Sequence, residues 1–168
     1  MRCSSLLIIL VFSTQIAVPS AQAGNLDWTE HRNDRFGLQL VYPADVFKPQ
    51  RKTDRGDGEL FLSADGKAKL LIGALENSEN HSPASYQKFI ARQSYPGFDL
   101  DYLPVGNTWS VLSGERDGTM FYDKVIFTCN WRRIGRFALV HPVAERSFYD
   151  LIIERIEDSF TARSKGCD

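Results

Sequence analysis

The chain has 168 residues, of which 43% are apolar, 24% charged and 12% aromatic. Those fractions exclude a disordered, collagen-like or coiled-coil chain, and the length suits one domain of ordinary size. A formal charge of −1 and a pI near 6.3 exclude a broadly basic nucleic-acid binder.

Residues 1–23 read as a secretory signal. Arg2 supplies the positive start, residues 6–12 (LLIILVF) the apolar core, and Ala21-Gln22-Ala23 the small-x-small cleavage pattern, with the cut between Ala23 and Gly24. A membrane anchor needs about 20 consecutive apolar residues, and Ser13, Thr14 and Gln15 interrupt this run too early. Removing 23 of the 168 residues leaves 145, without a second stretch of spanning length. The expected location is the periplasm or the exterior, and the expected partition is signal (1–23), polar entry segment (24–35), one α+β domain (36–163) and a short tail (164–168). Export fits the cysteines: Cys129 and Cys167 are an even pair after the signal, which predicts one disulfide, against two free thiols.

Residues 36–42 (FGLQLVY) place Phe36, Leu38, Leu40 and Tyr42 at period two and stop at Pro43, predicting a strand. Residues 44–58 read as a polar loop. Residues 59–64 and 67–75 flank Asp65-Gly66, and residues 109–116 and 119–130 flank Asp117-Gly118; Asp-Gly between apolar runs predicts a hairpin with a two-residue turn. Between the hairpins, Ser82 as cap, Pro83 in the first turn, and Tyr86, Phe89 and Ile90 at helical spacing predict a helix ended by Pro96-Gly97. A short strand follows over residues 99–103, and residues 136–141 (RFALVH) read as the final strand. Residues 144–162 predict a closing helix with Tyr149, Ile152, Ile153, Ile156 and Phe160 on one stripe. The fold class is α+β: a central antiparallel sheet covered by helices.

The opening Phe36-Gly37-Leu38-Gln39-Leu40-Val41-Tyr42-Pro43 followed by Phe47 resembles the start of PsbP-like domains, and residues 148–160 (FYDLIIERIEDSF) resemble their closing helix. The resemblance implies an α/β/α sandwich and a binding or assembly subunit without catalytic activity. It carries over no ligand residue.

Chemistry-bearing motifs are sparse. His31, His81 and His141 form no spaced metal pair, G-x-S-x-G is absent, and no phosphate loop or dinucleotide fingerprint occurs. No cofactor or metal is expected. Asp54, Asp57, Glu59, Asp99, Asp101, Glu115 and Asp123 keep a second reading open, a small periplasmic hydrolase using loop carboxylates; a metal-binding accessory protein is a third. Asp99 and Asp101 are expected on one face of a strand, and Tyr122 and Lys124 on one face of another. Arg55-Gly56-Asp57 and its flanks fail the calcium-loop pattern and read as a turn.

The strongest local feature is Trp131-Arg132-Arg133-Ile134-Gly135-Arg136. Arginine and tryptophan are enriched at interface hot spots. Trp131, Arg132, Arg133 and Arg136 are therefore the candidate binding residues, joined by the basic stretch 48–55, for an unidentified protein or an anionic envelope ligand. The opposing reading is a hairpin whose arginines lie over the sheet with Trp131 packed beneath.

Overall fold

Asp117 and Gly118 both adopt left-handed backbone (φ 49° and 73°), the conformation a two-residue hairpin turn demands. They join two long strands in the computed structural model, which describes residues 25–53, 57–163 and 167. The signal segment, its Ala23–Gly24 cleavage point and most of the 164–168 tail lie outside the described residues, as do Asp54, Arg55 and Gly56. No described helix is long and apolar enough to cross a membrane.

In chain order the strands are β1 (Trp28–Asn33), β2 (Leu38–Pro43), β3 (Phe47–Lys52), β4 (Gly58–Ser63) and β5 (Lys69–Glu76). Helix α1 (Pro83–Ser94) precedes β6 (Asp99–Tyr102), β7 (Trp109–Arg116), β8 (Thr119–Thr128) and β9 (Arg133–Pro142). A 3-10 turn (Val143–Glu145), helix α2 (Arg146–Ser159) and the two-residue β10 (Thr161–Ala162) follow. Seven strands form an antiparallel sheet in the order β3-β4-β5-β9-β8-β7-β6, and β1-β2-β10 form a second, three-stranded sheet. The predicted α+β architecture is present.

Both predicted hairpins form, but only one has the expected turn. At Asp65-Gly66 the loop is longer: Ser63 N donates to Ala68 O, and Asp65 Oδ1 accepts from Ser63 Oγ at 2.7 Å and Lys67 N at 3.1 Å. Only Gly66 of that pair is left-handed (φ 72°). The α1 start is as predicted, with Ser82 Oγ accepting from Ser85 N and Pro83 in the first turn.

The polar entry segment and the predicted polar loop each contain a strand. The entry segment contains β1, which pairs with β2 from Trp28↔Pro43 to Asn33↔Leu38. The polar stretch 44–58 contains β3, an edge strand that buries only Phe47. A strand with one buried side chain has no period-two apolar signal to read.

The large sheet has two apolar faces. On one, Phe61, Leu70, Ile72, Phe137 and Leu139 pack against Ile152, Ile153, Ile156 and Phe160 of the closing helix and its cap, and against Leu38 and Leu40 of β2. On the other, Phe121, Val125, Phe127 and Ile134 pack against Tyr86 and Ile90 of α1. The Phe36-Gly37 pair has a geometric reason: Gly37 is left-handed (φ 67°), and a Cβ there would sit 2.6 Å from Arg163 O, beside the end of β10.

Candidate functional site

The connection from β8 to β9 is unusual in its backbone. Cys129, Asn130 and Trp131 are all left-handed, with φ of 56°, 52° and 66°. Each non-glycine residue held there costs about 1–2 kcal/mol, so the turn needs outside support. Three braces supply it. Cys129 is bonded to Cys167. The buried Asn77 amide donates to Trp131 O at 2.7 Å and to His81 O at 2.9 Å, while Asn77 N donates to Arg132 O at 2.8 Å. The Trp131 indole N–H donates to Asn107 O at 3.0 Å.

The disulfide forms by a route the sequence did not suggest. Strand parity with Val125 and Phe127 places Cys129 toward a helical layer, expected to be the closing helix. Val125 and Phe127 face α1 instead, and Cys167 reaches Cys129 from beyond β10.

Braced in this way, Trp131 keeps 42% of its surface exposed. It does not lie beneath the sheet. Arg132 is exposed beside it, its Nε donating to Cys129 O at 3.2 Å. Arg133 starts β9 and pairs with Glu76 at 3.4 Å. Arg136 is elsewhere: it faces the α1 side of the sheet, where its Nε lies 3.0 Å and its Nη2 2.5 Å from the Asp123 carboxylate. Tyr95 Oη donates to the same carboxylate at 2.9 Å. Burial works against the Arg136 charge, but the attraction and hydrogen bonds of Asp123 outweigh it and hold the guanidinium above its usual pKa. Of the four candidate residues the structure brings Trp131 and Arg132 together at the tip, leaves Arg133 at its side, and commits Arg136 to the interior. Lys48, Arg51 and Lys52 do not join them: β3 is the far edge strand, with β4 and β5 between it and β9, a span of roughly 14 Å at strand spacing.

Around the tip the surface is apolar rather than basic. Val105 and Trp109, 44% and 38% exposed, flank the Asn107 carbonyl that receives the indole, and Leu100 and Leu103 extend the stripe along the β6 edge.

Among the described residues, three of the carboxylates that the sequence singled out are each engaged by a basic side chain. Asp57 binds Arg35 at 2.6 Å, Glu59 lies 3.4 Å from Lys52 and 3.6 Å from His31, and Asp123 is fully buried on Arg136. A register shift between Leu100 and Tyr102 breaks the expected alternation of Asp99 and Asp101. Among the described residues no three His, Cys, Asp or Glu side chains surround a common point. His81 bridges Glu79 and Ser85 beside α1.

A groove of about 360 Å³ opens between α2 and β6–β8, and the sequence reading missed it. It is lined by Asp101, Tyr122, His141, Asp150, Glu154 and Glu157, drawn from four elements. The expected alignment of Tyr122 and Lys124 does occur, and both bind Glu157, at 2.9 and 2.5 Å. Ser113 lines the same groove, yet among the described residues His141 Nε2 has no hydrogen-bond partner, so no serine–histidine pair is formed.

His141 is fully buried, stacked on Tyr149 at 4.8 Å, with Nδ1 3.0 Å from Pro142 O. Burial lowers its pKa below the usual 6.5; Arg146 pushes the same way, while the Pro142 bond, Asp150 and Glu145 oppose. A depressed folded pKa means the unfolded chain takes the proton first, so stability is full above about pH 6.5 and falls as the pH drops through that value. Denaturant melts at pH 7.5 and 5.5 should show this loss, and His141→Phe should shrink it. Equal pH slopes for the two proteins would contradict the assignment.

No protein-family profile matches the sequence, and no curated protein does. Solved structures do match. The solution structure of cyanobacterial PsbP (CyanoP) from Synechocystis sp. PCC 6803 superimposes with a TM-score of 0.61 at 11% identity, covering 86% of this chain and 98% of that one. The fold is Mog1/PsbP-like. The Ran-binding protein Mog1p of Saccharomyces cerevisiae gives a TM-score of 0.58 at 9% identity, over 85% of this chain and 99% of that one. A point mutant of Mog1 gives 0.58 at 8% identity. At such identities the Mog1/PsbP-like likeness concerns the fold, and function has to be argued from the site.

Proposed function

We propose that this chain is an exported, non-catalytic binding module that docks a partner protein through its Trp131–Arg132 tip. The observation that carries the reading is the bracing of an exposed tryptophan: a disulfide, a buried asparagine and a backbone carbonyl all hold the turn that presents it. An aromatic fixed before binding loses little freedom on docking, so its buried area converts to affinity with small entropic loss. Arg132 beside it supplies planar donors for a carboxylate on the partner. The neighbouring Val105 and Trp109 widen the apolar contact. That the Mog1/PsbP-like fold also houses a protein described as Ran-binding is compatible with a docking role.

The test is capture of envelope proteins by the purified chain, compared with the Trp131→Ala/Arg132→Ala variant. The variant loses the indole bond to Asn107 and the Arg132 bond to Cys129 O, so it should be less stable by about 1–3 kcal/mol, and capture is compared at a temperature where both proteins are folded. Capture of the specific partner should weaken by about tenfold or more, as for loss of a hot-spot pair. Undiminished capture at low salt would place the docking surface elsewhere.

A further inference from the structure

We propose that the groove between α2 and β6–β8 binds an alkylammonium group, which donates an N–H to His141 Nε2 and is neutralised by Glu154 and Asp101. The site is separate from the tip and does not depend on it.

The imidazole sets the requirement. Nδ1 faces the Pro142 carbonyl at 3.0 Å, and a carbonyl only accepts, so Nδ1 carries the proton and Nε2 a lone pair. Stacking on Tyr149 holds the ring in that orientation. Nε2 is buried and, among the described residues, is left without a hydrogen-bond partner. Buried polar atoms of folded proteins are nearly always satisfied, so an orphaned acceptor in the wall of a groove calls for a donor from outside.

The remaining groups specify the charge of that donor. Asp150 is engaged by Arg146 at 3.3 Å, and Glu157 by Tyr122 and Lys124. Asp101 and Glu154 line the groove, and no hydrogen bond or ion pair engages either among the described residues. An acceptor nitrogen with two unengaged carboxylates suits a cation rich in donors. A metal ion is a poor fit, because among the described residues no three His, Cys, Asp or Glu side chains can ligate one ion, whereas an ammonium needs one acceptor in contact and is neutralised by carboxylates at longer range. Met120, Ile153 and the Tyr102 ring line the same groove and give methylene groups an apolar bed. The chemistry is that of an ammonium on a flexible alkyl stem, whether a free diamine or the lysine side chain of a protein.

The experiment is NMR of the full chain labelled with 15N at histidine, titrated with 1,5-diaminopentane, Nα-acetyl-lysine methylamide or 1,5-pentanediol. The His141 Nε2 resonance should move on adding an amine and stay in place with the uncharged diol. Asp101→Asn/Glu154→Gln, at two exposed positions, should weaken amine binding at least tenfold without altering the fold. His141→Phe, which retains a ring over Tyr149, should abolish it, and Trp131→Ala should leave it unchanged. Equal affinity for the lysine derivative and the diamine assigns the groove to a lysine-bearing partner; binding of the diamine only assigns it to free diamines. An unmoved Nε2 resonance with both amines, an equal response to the diol, or undiminished binding by the double variant would overturn the proposal.

Discussion

Arg136→Ala should destabilise the protein by about 3–5 kcal/mol, the largest effect of any single change at the four candidate arginine and tryptophan positions. The reason lies in what remains. The Asp123 side chain has no exposure at all, and its carboxylate is met by Arg136 and by Tyr95 Oη. Without the guanidinium a buried negative charge keeps one neutral donor; burial and the neighbouring Asp123 push the Tyr95 pKa upward, so the phenol keeps its proton and cannot supply a countercharge. Replacing both partners with apolar residues, Asp123→Leu with Arg136→Met, should cost less than Arg136→Ala, because neither desolvated charge is then left unmatched. Urea denaturation of the three proteins measures the ordering. A double variant less stable than the single one would mean the pair contributes more than mutual compensation.

Removing the Cys129–Cys167 disulfide should cost about 3–4 kcal/mol, the loop-closure value for a separation of 38 residues. For a chain of this length that lowers the melting temperature by roughly 10 °C. Alanine at both positions, or reduction of the wild type, should give the same shift. The disulfide also pins the first of three consecutive left-handed residues, so its loss should raise amide exchange at Asn130 and Trp131 above that of the β8 and β9 interiors. Non-reducing peptide mapping checks the bond. Ready alkylation of both thiols in protein drawn from an oxidising compartment would refute it.

The parts of this fold legible in the sequence are those with a local physical signature. Asp117-Gly118 marked its hairpin because two successive left-handed residues are what that turn requires. Ser82-Pro83 marked the α1 start, and the Tyr149–Ile152–Ile153–Ile156 stripe marked α2, all four of whose residues are buried. β1 and β3 left no such mark, since β1 buries no side chain fully and β3 only Phe47, so neither shows a period-two apolar pattern even though each pairs with the next strand along the chain. The candidate site was half legible. Composition singled out Trp131 and Arg132, but the fate of Arg136 depended on a diagonal partner across β8 that spacing within one segment does not reveal. The groove was not legible at all: its acids and His141 come from β6, β9 and α2, and only tertiary packing brings them to one place. One signal did point there, the shared parity of Tyr122 and Lys124, whose common partner Glu157 sits on α2.

The two faces of the large sheet are covered at different moments of synthesis. The α1 face draws its helix from the middle of the chain, ahead of the strands it covers. The opposite face, with Phe61, Leu70, Ile72, Phe137 and Leu139, waits for Tyr149, Ile152, Ile153 and Ile156, and for Phe160 beyond them. A ribosome-bound chain halted before residue 146 therefore covers that face only in part, through Leu38 and Leu40 of β2, and leaves the remaining aromatic and aliphatic surface to water, a species prone to aggregation and to capture by chaperones. The last 14-residue helix is the latch: the face stays open until that helix is made and docks.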